Sequence, residues 1–246
     1  MMVASSISTA LVLLAIHVTD LVCLLGAVSL YCCYHVFLRL QLRRDPLYTM
    51  QAYTEMARKA WVVSIMTEQK ELLAVQTLRN ATMAATFLAS TAIILAVGVL
   101  SMASQTGRLT QTWHLLTTLD AAPQSLFGLK LLLLVVNLFG AFFSFSMSVR
   151  LYNHLGFLIN IPTDEAARGP AMEFAALELN RAARHFHNGL RAYYFLMPLL
   201  FWLYGSAMLL LATVGMLAVM FWLDRTPRVR REHGPGPEQG RSCLLR

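Results

Sequence analysis

Two charged side chains lie deep inside long apolar runs of this sequence. Asp20 stands about ten residues into the first run, and Lys130 follows Pro123 by seven residues in the third. Placing either charge at the centre of a hydrocarbon layer costs about 3 kcal/mol or more unless it is paired. We therefore predict an interhelical Asp20–Lys130 pair, or a shared polar cluster that also contains Asn137. Such a group can fix the register of two helices, or it can carry a transported proton or ion.

A second set of polar residues falls where the apolar runs end, near one membrane surface. The set contains His35, Gln76, Arg79, Asn80, Arg150, Asn153, Asn160 and Arg191. With Arg39 added, each of the four runs carries one arginine near that surface. These arginines form a cationic mouth for an anionic substrate or a phospholipid headgroup, or they snorkel to the interface. For Arg79, the neighbouring Gln76 and Asn80 predict a buried polar network.

Two histidines raise the alternative of a haem or metal site. His35 and His154 lie at the same ends of the first and third runs, and paired histidines on facing helices hold b-type haem or a metal ion. The main interpretation has no cofactor and no metal. Because the sequence also lacks nucleophile-elbow, phosphate-loop and zinc-protease motifs, we assign no catalytic residue, and an enzyme is the weaker class.

Small residues recur every four positions on two of the runs. They are Ala81, Ala85 and Ala89 on the second run, and Gly140, Ser144 and Ser148 on the third. Rows of this kind let helices approach closely and add hydroxyl hydrogen bonds across the interface. They predict close packing within a four-helix bundle, or between two copies of the chain in a homodimer.

The composition places all of these residues on membrane helices. Of the 246 residues, 57% are apolar and 13% are charged, and the mean hydropathy is +0.56. A soluble domain carries about a quarter charged residues, so the composition argues against a water-soluble enzyme domain, a disordered chain and a nucleic-acid-binding fold. The net charge of +7 comes mostly from residues that flank the apolar runs. Anionic lipid headgroups are therefore the expected partner of these charges.

Four apolar runs are long enough to cross a bilayer. They cover about residues 11–38, 82–102, 125–149 and 194–222. Each exceeds the roughly 20 residues that a hydrocarbon core about 30 Å thick requires. The predicted fold class is therefore an all-α membrane protein, with four transmembrane helices in a bundle over residues 1–224. Residues 225–246 form a basic tail that we expect to be disordered.

Two amphipathic interfacial or cytoplasmic helices are predicted in the connections. Asp45–Pro46 has the pattern of an N-cap followed by proline at the first helical position, and neither glycine nor proline follows until Gly98. A straight helix of that length far exceeds the bilayer, so we expect a bend near residues 61–67 and a second span that starts within 68–71. In the third connection, Asn188–Gly189 is the predicted C-cap of the other helix.

Basic residues set the predicted orientation. Residues 39–81 contain seven Lys or Arg and residues 150–193 contain five, whereas the second connection contains only Arg108. The positive-inside rule then places connections 39–81 and 150–193 in the cytoplasm and both termini outside, in the cell (inner or plasma) membrane. The six arginines of the basic tail oppose this orientation.

The start of the second run carries a recognisable signature. Residues 65–84 read IMTEQKELLAVQTLRNATMA, and further matching stretches are Tyr34–His35, residues 148–162 and residues 191–205. Together they resemble the membrane family called "domain of unknown function 599", over roughly residues 15–222. Ala81 departs from the serine that relatives often carry. The resemblance implies an integral membrane protein with several spans and no established biochemical activity.

These observations predict a non-catalytic membrane protein that assists the assembly of partners or interacts with lipid. The alternative is a small transporter or channel, which would use Asp20 and Lys130 as intramembrane charges and the inner arginines as an anion-attracting mouth. The expected partners are the bilayer with its anionic headgroups and either a second copy of the chain or another membrane protein, with no nucleic acid.

Overall fold

A computed structural model of the chain describes residues 2–44, 49–104, 124–160 and 165–224. Over these ranges the chain forms six helices and no strands. The helices are α1 (Met2–Arg44), α2 (Met50–Thr67), α3 (Glu71–Ser104), α4 (Gln124–Leu158), α5 (Glu165–Trp202) and α6 (Ser206–Asp224). The basic tail at 225–246 lies outside the described residues, as do Asp45 and Pro46.

Four of these helices are long and apolar enough to span a membrane. They are α1 over Val18–Arg44, α3, α4 over Phe127–Leu158, and α6. The shortest, α6, has 19 residues, which correspond to about 28 Å of helix and match the thickness of a hydrocarbon core. The predicted fold class, an all-α protein with four such helices, is confirmed.

The helix α2 has Thr49 as its N-cap. The Thr49 backbone is extended, and its side chain accepts a hydrogen bond from the Ala52 amide at 3.3 Å. This is the ordinary N-cap arrangement, in which a hydroxyl satisfies an amide of the first turn. The N-cap predicted at Asp45–Pro46 lies outside the residues that the structure describes.

A tight turn separates α2 from α3, just after the predicted bend. Gln69 has a φ of 51°, in the left-handed region, and the Glu68 carboxylate accepts a hydrogen bond from the Ser64 hydroxyl at 2.8 Å. Glu68 also forms an ion pair with Lys70. The bend expected at 61–67 thus falls at 68–70, and α3 begins at Glu71, inside the predicted interval of 68–71.

The helix α5 is longer than the third connection was predicted to allow. It continues through Asn188–Gly189 to Trp202, so the predicted C-cap at that position is wrong. A C-capping glycine adopts a positive φ, whereas Gly205 alone among the described glycines does so. Gly189 is instead buried within the helix.

The fourth apolar run is broken into two helices. Helix α5 ends at Trp202, residues 203–205 form a turn, and α6 begins at Ser206. Gly205 has a φ of 157°, a backbone conformation that residues other than glycine rarely adopt. The prediction of one continuous helix over 194–222 is wrong, because the spanning helix is Ser206–Asp224 and the residues before the turn belong to α5.

The chain divides into two compact units, each with its own core. Within the described residues, the first unit comprises residues 2–34, 90–104, 124–142 and 189–218, and the second comprises residues 35–44, 49–89, 143–160, 165–188 and 219–224. The first core contains Ala27, Phe127, Leu131, Leu134, Leu199, Trp202 and Leu209. The second core contains Val62, Ile65, Ala74, Leu78, Leu151, Tyr152, Leu155, Ile159, Ala175, Ala176, Leu179 and Ala182. That residues 1–224 form a single membrane domain stays a prediction.

The two rows of small residues have different surroundings. Ala85 and Ala89 are buried and Ala81 is half-buried, so the row on α3 faces packed neighbours. The row on α4, which runs through Ser144, starts at an exposed glycine and ends at a buried serine. A Cβ added at Gly140 would meet nothing within 4 Å. Among the described residues, Gly140 therefore does not serve close helix approach.

Candidate functional site

The first candidate site is a buried salt bridge between two helices of the first unit. Lys130 Nζ on α4 lies 3.2 Å from Asp20 Oδ2 on α1, and the two side chains are 3% and 5% exposed. The structure therefore contains the ion pair that the sequence predicts. Burial of both partners removes the solvent screening that weakens surface ion pairs. The contribution of the pair then depends on whether the remaining polar atoms also find partners.

Trp202 supplies those partners. Its indole Nε1–H donates to Asp20 Oδ1 at 3.1 Å, and its carbonyl oxygen accepts from Lys130 Nζ at 3.2 Å. The ammonium also lies 5.1 Å from the centroid of the Trp202 ring, within cation–π range. Both carboxylate oxygens and the ammonium are thus engaged by neighbours. We call Asp20, Lys130 and Trp202 the buried triad.

The backbone of Trp202 is available because α5 ends there. The last four carbonyl groups of a helix have no partner within that helix, and the end carries partial negative charge. Two hydrogen bonds between residues three apart close the turn. The Leu203 amide donates to Leu200 O and the Tyr204 amide donates to Phe201 O, each at 3.1 Å. Lys130 then binds the carbonyl of the last helical residue. A cation at this position favours the broken helix electrostatically.

Sequence reasoning missed Trp202 as a member of this site. Two signals were present in the fourth run: its 29 residues from 194 to 222 exceed one span, and Gly205 lies inside it. Asn137, in contrast, does not join the triad. Its Nδ2 donates to Ala192 O at 2.9 Å, ten residues before Trp202. Asn137 therefore makes a separate link between α4 and α5.

The second candidate site is an open groove of about 620 Å³ in the second unit, between α3 and α4. Its lining contains Val75, Leu78, Arg79, Thr82, Met83, Tyr152, Asn153, Gly156, Phe157 and Asn160. Arg79 is the only charged residue among them, and the amides of Asn153 and Asn160 add polar atoms. Most of the remaining lining is apolar. The groove thus combines one cation with hydrocarbon-like walls.

The structure brings only part of the predicted cytoplasmic cluster to this groove. Arg79, Asn153 and Asn160 line it, and Asn160 Nδ2 donates to Gly156 O at 3.1 Å. Gln76, Asn80 and Arg150 are exposed outside the lining, and His35 and Arg191 are half-buried. Arg191 belongs to the first unit. Because Arg79 is itself exposed along with Gln76 and Asn80, the predicted buried network of these three is wrong.

A buried amide joins the two amphipathic helices beside the second core. Asn180 on α5 is 1% exposed; its Oδ1 accepts from Arg58 Nε at 2.7 Å and its Nδ2 donates to Glu55 O at 3.4 Å. Arg184 Nη1 lies 3.6 Å from Glu55 Oε1. Burial lowers the pKa of the Arg58 guanidinium, against the opposing charges of Tyr152 and Glu55. Asn180 was not predicted as a site residue, although an amide among apolar core positions is a usable signal.

The charges around this amide also act on a nearby histidine. Partial burial lowers the pKa of His185, and the positive charges of Arg181 and Arg184 lower it further. At the α2–α3 turn, a lowered pKa favours the charged form of a side chain, whereas for His185 it favours the neutral form. Hydrogen bonds from Lys70 and Ser64 lower the pKa of the exposed Glu68 carboxyl, which stabilises its charged form.

The model of the family described as "Protein of unknown function, DUF599" matches residues 22–229, which is most of the chain. The protein belongs to the DUF599 family. No curated protein and no solved structure matches the chain.

The matched segment of this DUF599 protein contains Lys130, Trp202 and the whole groove, and Asp20 precedes it by two residues. The family description assigns no activity, so the two candidate sites have to be interpreted from their chemistry. His35 and His154, the residues of the haem or metal alternative, are half-buried and exposed respectively. Among the described residues of the DUF599 protein, no group of three or more His, Cys, Asp or Glu is placed to hold a metal ion.

Proposed function

We propose that this DUF599 protein is a non-catalytic, lipid-interacting membrane protein that binds one anionic phospholipid in the groove between α3 and α4. The observation that carries the proposal is the lining of that groove: a single arginine and two asparagine amides beside apolar side chains. Basic pockets between transmembrane helices bind anionic headgroups. The volume of about 620 Å³ falls within the roughly 300–1,000 Å³ of small-molecule sites.

The groove offers separate regions for a headgroup and for an acyl chain. Arg79 lies eight residues after the start of α3, about 12 Å along the helix, and Asn160 follows the end of α4. A phosphate can bind the guanidinium in bidentate fashion and accept hydrogen bonds from the amides. Met83 and Phe157 are 63% and 78% exposed, so they present apolar surface to an acyl chain.

Charge complementarity favours an anionic over a zwitterionic lipid. Glu68, Glu71 and Lys70 lie near the start of α3, but none of them lines the groove. No lining residue therefore supplies a carboxylate to Arg79. A lipid with a net negative charge neutralises Arg79, whereas the choline ammonium of phosphatidylcholine adds a second positive charge.

The test is a comparison of two lipids on the full-length chain. The protein, purified in mild detergent, is titrated with phosphatidylglycerol or with phosphatidylcholine of the same acyl chains, and native mass spectrometry counts the bound molecules. We expect one phosphatidylglycerol to bind about tenfold more tightly, a difference of about 1.4 kcal/mol. Arg79→Gln should remove this preference. Arg150→Gln, which changes an exposed arginine of α4 outside the lining, should retain it. Equal binding of both lipids by the unaltered chain contradicts the proposal.

The proposal includes an orientation and partners. It places connections 39–81 and 150–193 on the cytoplasmic side of the cell membrane, where the leaflet carries anionic lipid. It also allows a second copy of the chain or another membrane protein as a partner. A variant with Cys243 as its only cysteine tests the orientation. An impermeant thiol reagent added to intact cells should label Cys243 if the tail is outside, and absence of labelling contradicts this placement.

A second candidate function, transport, is favoured by the break between α5 and α6. Transporters place ion sites at the ends of discontinuous helices, and the buried triad lies at such an end. In this alternative, Asp20 and Lys130 are the intramembrane charges of a small transporter or channel. The test measures the flux of a monovalent cation into proteoliposomes. A flux that is present with the unaltered protein and abolished by Asp20→Asn supports this alternative. Lack of flux through the unaltered protein contradicts it.

A further inference from the structure

The buried triad presents the ligands of a monovalent cation. The Lys130 ammonium contacts a carboxylate oxygen at 3.2 Å, a carbonyl oxygen at 3.2 Å and an aromatic face at 5.1 Å. Carboxylate and carbonyl oxygens bind hard cations, and the face of an indole attracts ammonium groups. Each contact is made to the positive charge of Lys130 and does not depend on the alkyl chain that carries it.

The charge of the surroundings matches one positive charge. Within the described residues of the first unit, Asp20 is the sole carboxylate, and Lys130 and Arg191 are the cations. The end of α5 adds the partial negative charge of its terminal carbonyl groups. A divalent ion ordinarily has several carboxylates among its ligands, whereas this site has one. The site is therefore matched to a single monovalent cation.

Lys130 reaches this place from a different helix. The carboxylate belongs to α1 and the carbonyl to α5, while the ammonium is carried by a flexible stem on α4. Withdrawal of that stem leaves Asp20 Oδ2 and Trp202 O facing a vacated position. Lysine carries a compact point charge on rotatable bonds, so its headgroup and a free ion of the same charge are alternatives at one position.

We propose that the end of α5 is a monovalent-cation site whose resident occupant is the tethered ammonium of Lys130, and that a free ammonium or alkali ion binds the same ligands when Lys130 is absent or withdrawn. The proposal is independent of the lipid groove, since it rests on other residues in the other unit. In the unaltered chain the tether gives Lys130 a high effective concentration. Free ions therefore compete weakly, and the site becomes visible when the tether is removed.

The experiment removes the tethered ammonium and supplies free ions. Full-length Lys130→Met is reconstituted in nanodiscs, and thermal unfolding is measured in ammonium, sodium, potassium or choline chloride at equal ionic strength. Choline is the control, because its trimethylated headgroup is too large for a position that an ammonium fills. We expect the Tm of Lys130→Met to rise saturably with ammonium or an alkali ion, by about 3–5 °C at ten times Kd.

Two further chains make the result decisive. The double variant Asp20→Asn/Lys130→Met lacks both charges, so its Tm should not distinguish the four salts. The unaltered chain should also show no difference, because Lys130 already fills the site. If Lys130→Met is monodisperse only in ammonium or alkali salts, the proposal is also supported. If it unfolds in all four salts, or if it folds with the same Tm in all four, the proposal is overturned.

Discussion

Lys130 donates a hydrogen bond to the carbonyl oxygen of Trp202, 72 residues further along the chain and at the residue where α5 ends. The same lysine pairs with Asp20, so the ion pair and the helix end are parts of one arrangement. A helix end within an apolar run leaves carbonyl groups without water as a partner. The ammonium satisfies one of them, which explains how the break at 203–205 is tolerated.

The indole of Trp202 contributes a hydrogen bond that phenylalanine cannot supply. Trp202→Phe keeps an aromatic face near Lys130 but removes the donor to Asp20 Oδ1. A buried acceptor left without its partner costs about 1–3 kcal/mol, so we expect the free energy of unfolding in detergent to fall by that amount. Trp222→Phe is the matched control, because Trp222 is 77% exposed; its effect should stay within about 0.5 kcal/mol. Equal effects of the two substitutions would show that the hydrogen bond is not stabilising.

Hydropathy predicted the part of this structure that depends on length and composition. A helix must satisfy its own backbone in hydrocarbon, so long apolar runs identify α1, α3 and α4 without knowledge of the packing. The cost of an isolated charge likewise led from Asp20 to Lys130. Both inferences follow from the free energy of solvation, to which every residue in an apolar run contributes.

The break at 203–205 and the role of Trp202 were not predictable in this way. Mean hydropathy is insensitive to the direction of the backbone, and the residues on both sides of Gly205 are equally apolar. The Arg79 network failed for a related reason. Spacing of four residues placed Gln76 and Asn80 on one face, but the face that packs is that of Ala74, Leu78 and Ala85. Which face is buried depends on neighbouring helices.

The groove can be filled without disturbing the helix that forms its wall. Gly156 lines it, and a Cβ added there would meet nothing within 4 Å. We expect Gly156→Leu to place its side chain in the groove and to weaken phosphatidylglycerol binding at least tenfold. The free energy of unfolding should be unchanged or slightly higher, because leucine favours the helix. Gly140→Leu lies on the same helix in equally open space and should leave lipid binding unaltered. Loss of binding in both variants, or in neither, argues against the groove as the lipid site.

Asn180 links the two amphipathic helices through a charged donor. Asn180→Ala removes the acceptor of Arg58 Nε and the donor to Glu55 O. Hydrogen bonds to charged groups contribute about 1.5–3 kcal/mol, so we expect a loss of that order in the free energy of unfolding and faster amide exchange in α2. Asn188→Ala changes an exposed asparagine of the same helix and serves as the control. Unchanged exchange in α2 after Asn180→Ala contradicts this role.

His185 predicts a pH dependence of stability with a definite sign. Burial and the charges of Arg181 and Arg184 lower its pKa below the ordinary 6.5, so the unfolded chain binds the proton more readily than the folded chain. Stability is then fully present above about pH 6.5 and is lost as the pH falls from 6.5 through the folded pKa. Unfolding measured between pH 5 and 8 should show this loss. His185→Gln should reduce it, whereas His154→Gln, which changes an exposed histidine, should not. A pH profile that His185→Gln leaves unchanged would assign the dependence to another group.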